Sequence, residues 1–181
     1  MERDNTNKDK RSTKHILVPY CALAQGIRAK GIVKHYPAVV KDVIEYLIQE
    51  EINIMQMPCP ELFFEKGQNG GINRQPCGKS RYDTENNRKV CRKCAVDVVN
   101  MIRLFQSGGY DIIGILGVNY SPSCAVDFIQ FQKKGTGIYI EELQKVLKEN
   151  NLSIPFIGIE NGAIGKTMRQ LTEMISQTYF K

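Results

Sequence analysis

The chain has 181 residues, of which 42% are hydrophobic and 24% are charged, and it carries a formal net charge of +6. This composition is typical of a soluble globular protein, and the length allows one ordinary core. No apolar run reaches the roughly 20 residues that a membrane span needs, and the amino terminus lacks the apolar stretch of a signal peptide. We therefore expect a cytoplasmic protein with no membrane partner, in which the six cysteines are thiols or metal ligands and not disulfides.

The first 14 residues are polar and lack hydrophobic periodicity, which predicts a disordered tail. A single domain is then expected over residues 15–181. Its first strand is the apolar run 16–18, which Pro19 ends because a proline cannot donate to a central ladder. Cys21 is thereby left just past the carboxyl end of that strand. The pattern of residues 22–36 does not distinguish a short helix from a loop.

Strands and helices alternate along the rest of the chain. Apolar residues recur at helical spacing from residue 37 to 48, and a short apolar run follows at residues 52–57. A strand, helix and strand in this order form a right-handed crossover between parallel strands. Helices are also predicted over 90–105, 140–147 and 164–175, and buried strands over 112–118 and 154–159. The expected fold is a three-layer, Rossmann-like α/β fold with a mainly parallel sheet of at least four strands.

Three cysteines follow the ends of three predicted strands. Cys21, Cys59 and Cys124 come after the first, second and third apolar runs. Because ligands of open α/β sheets bind outside the carboxyl ends of the strands, we expect these thiols to meet at one rim. Cysteine is often merely a small buried hydrophobe. Three thiols without a nearby histidine, however, fit an iron-sulfur cluster or a zinc ion with an open position.

The other three cysteines favour a different interpretation. Cys91 and Cys94 form a CxxC pair. Cys94 lies within the apolar stripe of a long predicted helix and Cys91 lies at the edge of that stripe, so we expect both to be core cysteines. Cys77 falls in the polar, glycine-rich segment 66–87, which is predicted to be a long loop over the mouth of the site. The alternative is that Cys77 joins the pair in a second three-thiol metal site.

Six basic residues border the same loop. We expect them to form a solvated face of the protein; the alternative is that they attract an anionic substrate. The chain lacks the stacked aromatics of a dedicated single-strand binder, so no nucleic-acid partner is expected. The basic residues are Lys79, Arg81, Arg88, Lys89, Arg92 and Lys93.

The cysteine motifs resemble those of the bacterial thiouracil desulfidase family (TudS). That family carries a cysteine after the first strand, a Cys-Pro-Glu and a Ser-Pro-Ser-Cys, which stand here as Cys21, residues 59–61 and residues 121–124. The residues around Cys21 and Ala125 depart from the usual family pattern. The likeness covers about residues 16–160, and the glycines and arginine of the family's middle loop are similar to Gly70, Gly71 and Arg74.

The resemblance implies a 4Fe-4S cluster held by Cys21, Cys59 and Cys124, with one iron that has no protein ligand. It also implies a desulfidase that removes sulfur from a thiouracil-like nucleobase, or a related thiocarbonyl compound, by non-redox hydrolysis with release of sulfide. Glu61, two residues after Cys59, is the candidate general acid or base. Ser121 is the candidate to hydrogen-bond the substrate or to relay a proton.

Two other classes of function remain open at this point. A redox or acyl-activating protein would also use an open iron, and a reversible redox change during turnover would favour it. A zinc-bearing interaction module would use the cysteines as structural ligands and its basic loop to bind nucleic acid, and bound zinc would favour it. Under the desulfidase hypothesis the partner is a small thiolated substrate, and the protein is expected to be a monomer or a homodimer.

Overall fold

A computed structural model of the protein describes residues 9–64, 75–130 and 133–178. The strands are β1 (Lys14–Pro19), β2 (Asn53–Met57), β3 (Asp111–Val118), β4 (Phe128–Gln130), β5 (Lys133–Lys134) and β6 (Phe156–Ile159). The α-helices are α1 (Tyr20–Leu23), α2 (Lys41–Gln49), α3 (Lys79–Tyr82), α4 (Glu85–Ser107), α5 (Ile138–Glu149) and α6 (Ile164–Ser176), and short 3-10 turns cover Gln25–Ile27 and Pro60–Leu62.

The main sheet has the strand order β2-β1-β3-β6, and each neighbouring pair is parallel. Alternate residues of the central strands are buried on opposite faces: Leu17 and Ile115 pack with α4 and α5, whereas Ile16 and Leu116 pack with α2 and α6. Burial on both faces explains why β1 and β3 are continuous apolar runs. The predicted three-layer α/β fold with four parallel strands is confirmed. No helix in the described ranges combines the length and the apolar character that a membrane crossing needs.

Two boundaries in the amino-terminal part of the chain differ from the sequence prediction. Helix α2 begins at Lys41 and not at residue 37, because Val40 donates its N–H to the carbonyl of Ala22 (2.8 Å) and Ala38 accepts from Gln25 (2.6 Å). These bonds hold residues 38–40 beside the turn that carries Cys21. Strand β1 begins at Lys14, one residue before the predicted start of the domain.

Two further differences lie around the predicted loops. The described part of segment 66–87 contains α3 and the start of α4, where the Thr84 side chain caps the helix by accepting from the N–H of Asn87 (3.3 Å). Residues 65–74, which include Gly70, Gly71 and Arg74, lie outside the described residues. The antiparallel β4 and β5 pair was not predicted, because the segment after Cys124 shows no alternating apolar pattern.

An ion-pair network joins α3, α4 and α5. Arg88 binds Asp83 (2.5 Å), Glu141 (2.9 Å) and Glu142 (3.0 Å), and Lys79 also pairs with Glu141. Lys89 and Arg92 pair with Glu85 and Glu149. Four of the six basic residues bordering the loop are therefore neutralised by carboxylates of the protein itself, which favours a structural role for them over attraction of a substrate.

Two carboxyl groups of this network, those of Asp83 and Glu142, have lowered pKa values. Hydrogen bonding by Arg88 lowers the pKa of Asp83. Burial alone would raise the pKa of Glu142, but hydrogen bonds from Lys145 and Arg88 outweigh it and the net shift is downward. A carboxyl group whose folded pKa is lowered stabilises the fold above its unfolded pKa, and this contribution is lost as the pH falls through the folded value.

Replacing Arg88 by methionine should therefore reduce the free energy of unfolding at neutral pH by about 1–2 kcal/mol, because partly buried carboxylates lose a charged partner. The difference from the wild type should shrink as the pH falls below the ordinary values of 3.8 and 4.5 for Asp83 and Glu142. Urea unfolding at several pH values measures this. Arg92→Met, which breaks a more exposed pair on the same helix, is the control and should cost under about 1 kcal/mol. Equal, pH-independent losses in the two variants would contradict the assignment.

Candidate functional site

A cavity of about 330 Å³ opens at the carboxyl ends of the sheet strands. Its lining includes Cys21, Cys59 and Cys124, together with Glu61 and Ser121. The three cysteines follow β1, β2 and β3, which are adjacent in the sheet. The fold thus brings together all five residues that the sequence nominated, although it does not by itself assign them a role.

Cys21 lies in the short helix α1 that directly follows β1. The buried amide of Gln25 donates to the carbonyl of Cys21 (2.5 Å), and the N–H of Val40, just before α2, donates to the carbonyl of Ala22. These bonds fix the backbone of the turn after β1. The Cys21 side chain is partly exposed and packs against the same core cluster that contains Cys124.

Cys59 and Glu61 are held by a turn after β2 that begins with a proline. Pro60 is the first residue of the 3-10 turn, and the carbonyls of Cys59 and Pro60 accept from Leu62 (3.2 Å) and Phe63 (2.9 Å). Since proline fixes its own φ, this backbone has little freedom. Glu61 is only 9% exposed, so its carboxyl group is largely shielded from bulk water where it meets the cavity.

The turn that carries Cys124 folds back onto the end of β3. Tyr120 adopts a φ of +67°, which reverses the chain, and Val118 then donates its N–H to the carbonyl of Cys124 (2.8 Å). The Ser121 hydroxyl oxygen accepts from the N–H groups of Cys124 (3.0 Å) and Ser123 (3.3 Å). Ser121 therefore has a definite structural function in shaping this turn, in addition to its place in the cavity wall.

The same turn also receives the start of α5. Ile138 donates its N–H to the carbonyl of Pro122 (3.0 Å), and Tyr139 donates to the carbonyl of Ser123 (3.0 Å). The first N–H groups of a helix have no partner within the helix, so these carbonyls satisfy donors that would otherwise be unpaired. The Cys124 turn is consequently bonded to the central strand on one side and to a helix on the other.

The thiols are reduced and resist ionisation. All six cysteines are free, and burial raises the pKa of Cys124 well above its ordinary value, with further contributions from Cys21, Cys59 and Glu61. Burial likewise raises the pKa of Cys91. A nearby cation would be needed to convert such thiols to thiolates at neutral pH, as metal binding does.

In the described ranges no group of three or more histidine, cysteine, aspartate or glutamate side chains is positioned to hold a metal ion. The three thiols line a shared cavity, but they do not form a preassembled single-ion site. A second three-thiol group of Cys77, Cys91 and Cys94 is not found among these residues either.

The remaining cysteines divide into two kinds. Cys91 and Cys94 are 0% and 7% exposed and belong to the core between α4 and the sheet, which confirms their interpretation as core residues. Cys77 instead lines the cavity together with Cys21, Cys59 and Cys124. The loop that carries Cys77 was predicted to lie over the mouth of the site, but Cys77 itself was not nominated as a cavity residue, because the segment before it has no periodicity from which a direction could be inferred.

Sequence reasoning also missed polar groups of the cavity wall. Asn119 lies directly after β3 and is 4% exposed, and its side-chain oxygen accepts from the N–H of Asp127 (3.0 Å). A polar residue immediately after a buried strand was the available signal. Arg28 and Lys34 also line the cavity, but they lie in the segment 22–36, whose pattern is not informative. Asn161 lines the cavity too, as expected for a polar residue that follows the fourth predicted strand, 154–159.

Comparison with known proteins gives one distant similarity. The chain is 29% identical over 116 residues to an uncharacterized protein, MJ0003, of Methanocaldococcus jannaschii, and the alignment covers 64% of this chain and 67% of the archaeal protein. No family model matches the chain, and no solved structure matches it. The resemblance to thiouracil desulfidases therefore remains a prediction from the motifs.

Close backbone contact around the Cys124 turn generates a stability prediction. A Cβ atom at Gly137 would lie 2.3 Å from the carbonyl group of Ser123, and one at Gly117 would lie 2.3 Å from the carbonyl oxygen of Cys124. We expect Gly137→Ala to destabilise the protein by about 1–3 kcal/mol, since backbone must move to admit the methyl group. Chemical denaturation measures this loss.

Gly165→Ala is the matched control, because a Cβ at that position in α6 would meet nothing within 4 Å. Alanine has the higher helix propensity, so this variant should be neutral or slightly more stable. If both alanine variants kept the stability of the wild type, the claim that the Cys124 turn packs closely against Gly137 would be contradicted.

Proposed function

We propose that this protein is an iron-sulfur-dependent desulfidase, which removes sulfur from a thiocarbonyl compound by hydrolysis and releases sulfide. One observation carries the proposal: three cysteines from three adjacent strand ends line a single cavity together with a buried glutamate. The motif resemblance to thiouracil desulfidases supports the same chemistry. From this resemblance we infer the substrate class, which is a thiouracil-like nucleobase or a related small thiolated molecule.

The donor set fits a cluster held by three thiolates. Cys21, Cys59 and Cys124 offer soft sulfur ligands from separate segments and form no disulfide. His35 also lines the cavity, contrary to the expectation of a site without a nearby histidine. The hydroxyl groups of Ser123 and Tyr139 are buried without a hydrogen-bond partner among the described residues, and hydroxyl donors of this kind suit sulfur acceptors. When bound, a 4Fe-4S cluster with one iron free of protein ligands would supply a soft Lewis acid for the sulfur of the substrate.

The reaction balances without any change of oxidation state. A water oxygen forms a bond to the thiocarbonyl carbon, the carbon–sulfur bond breaks, and both protons of the water end on the departing sulfide. Glu61 would accept a proton from the water as the new bond forms and return it to the sulfide as the old bond breaks. Because the turn after β2 holds the Glu61 backbone, the carboxylate keeps its position relative to the cavity.

The size and lining of the cavity suit a small polar heterocycle. Its volume of about 330 Å³ is at the lower end of the range for small-molecule sites. The side chain of Asn161 provides an amide group whose oxygen has no partner among the described residues, and those of Arg28 and Lys34 provide positive charge. These groups can hydrogen-bond the ring nitrogens and carbonyl oxygens that thiolated nucleobases carry. The Ser121 hydroxyl, which already accepts two backbone bonds, still has its proton to donate to a substrate or to water.

The assignment of the ligands is tested by replacing single cysteines. Cys124→Ser should abolish retention of iron after anaerobic reconstitution with iron and sulfide, because one of three thiolates is lost. Cys94→Ala is the matched control: it should retain iron and mainly lower stability, since Cys94 belongs to the core. Iron, acid-labile sulfide and zinc are measured on each preparation. Equal loss of iron in the two variants would contradict the ligand assignment, and stoichiometric zinc in the wild type would favour the interaction module.

The role of Glu61 is tested on protein that retains its cluster. Glu61→Gln removes no ligand, so iron content should be unchanged, whereas release of sulfide from a thiouracil should slow by about 100-fold to 10,000-fold. Glu160→Gln is the control and should turn over like the wild type, because this carboxylate follows β6, at the opposite edge of the sheet from β2, and accepts a hydrogen bond from the Tyr120 hydroxyl (2.7 Å). Normal turnover by a Glu61→Gln protein with intact cluster would remove Glu61 from the mechanism.

A further inference from the structure

The hydroxyl group of Tyr139 is buried in the core without a hydrogen-bond partner in the described part of the chain. Tyr139 is 0% exposed and belongs to the core cluster that also contains Cys91, Cys94 and Cys124. A buried polar group left unpaired costs about 1–3 kcal/mol. Such groups are rare in native structures, and a bound ion or cofactor is one kind of partner that pairs them.

Backbone hydrogen bonds place Tyr139 against the Cys124 turn. Its N–H donates to the carbonyl of Ser123 (3.0 Å), the residue immediately before Cys124. The hydroxyl of Ser123 is itself fully buried and has no partner among the described residues. Two unpaired O–H donors therefore belong to residues that are bonded directly to each other at this cysteine.

The electrostatic surroundings of Tyr139 are those of a proton donor. A phenol keeps its proton at neutral pH, so the buried hydroxyl is available as a donor. The negative charge of ligating thiolates would strengthen the hydrogen bond that it donates.

We propose that Tyr139 donates a hydrogen bond to sulfur at the Cys124 side of the iron-sulfur cluster and so stabilises its negative charge. This inference rests on the proposed function, because it requires a cluster held by Cys124. Tyr139 does not line the cavity, so it is a positioning residue and makes no contact with the substrate. Hydrogen bonds to cluster sulfurs are among the factors that set the reduction potential, because they favour the more negatively charged form.

Tyr139→Phe tests the proposal with a readout that is independent of turnover. In an anaerobic redox titration followed by electron paramagnetic resonance, the variant should show a ratio of reduced to oxidised cluster about tenfold lower at a given potential. For a one-electron couple this corresponds to a potential about 59 mV more negative. Tyr46→Phe is the control, because Tyr46 packs on the opposite face of the sheet and its variant should titrate like the wild type.

A second measurement separates this role from a structural one. Phenylalanine keeps the ring and removes only the unpaired hydroxyl, so the Tyr139→Phe apoprotein should be as stable as the wild-type apoprotein or more stable. The loaded variant should instead lose iron to a chelator about tenfold faster than the loaded wild type. A purely structural hydroxyl would change both forms in the same direction, which would overturn the proposal.

The possible failures are distinguishable. A wild-type protein that binds no iron after reconstitution would overturn the proposed function and the role of Tyr139 together. A wild-type protein with a cluster whose potential is unchanged in Tyr139→Phe would overturn the role of Tyr139 alone and leave the desulfidase proposal intact.

Discussion

The backbone hydrogen bonds of the Cys124 turn are the constraint on which the rest of the site depends. The carbonyl of Cys124 accepts from Val118 in the central strand, while the carbonyl of Ser123 accepts from the start of α5. Both contacts require close approach of main chain to main chain, which is why glycine occupies positions 117 and 137. The central strand, a covering helix and the cysteine are thereby bonded into one unit, and the other two cysteines are brought to it by neighbouring parallel strands.

Burial of thiols within this unit has a chemical consequence. Carboxylates elsewhere in the molecule, such as Glu142, are compensated by lysine and arginine, whereas burial and neighbouring negative groups oppose ionisation of Cys124. A bound cluster of iron ions would supply positive charge that favours the thiolate form of Cys124. The hydroxyl of Tyr139, which is unpaired among the described residues, would then find an acceptor.

The sequence predicted most of the fold because the strands and helices have unambiguous periods. The apolar runs at 16–18 and 112–118 are buried on both faces of the sheet, and their parallel arrangement followed from the helices between them. The positions of Cys21, Cys59 and Cys124 followed in turn, since each comes directly after a strand. Their spacing relative to the apolar runs was sufficient to predict that the three cysteines lie at one edge of the sheet.

What the sequence did not predict depends on contacts between distant segments. The late start of α2 is caused by hydrogen bonds from Gln25 and Val40 to the opposing backbone, which no local propensity reveals. The placement of Cys77 in the cavity, and of Tyr139 among the core thiols, likewise results from packing. Ser121 was nominated for its neighbours in the motif, and its backbone contacts with Cys124 became evident only in three dimensions.

The most direct test of this account is the location of iron in the folded protein. Crystals of the anaerobically reconstituted protein, measured at the iron absorption edge, would give an anomalous signal at the site of bound iron. The account predicts this signal in the cavity, bonded to the sulfurs of Cys21, Cys59 and Cys124, with one iron lacking a protein ligand. An iron signal bonded to other residues, or an anomalous signal from zinc and none from iron in the cavity, would contradict it.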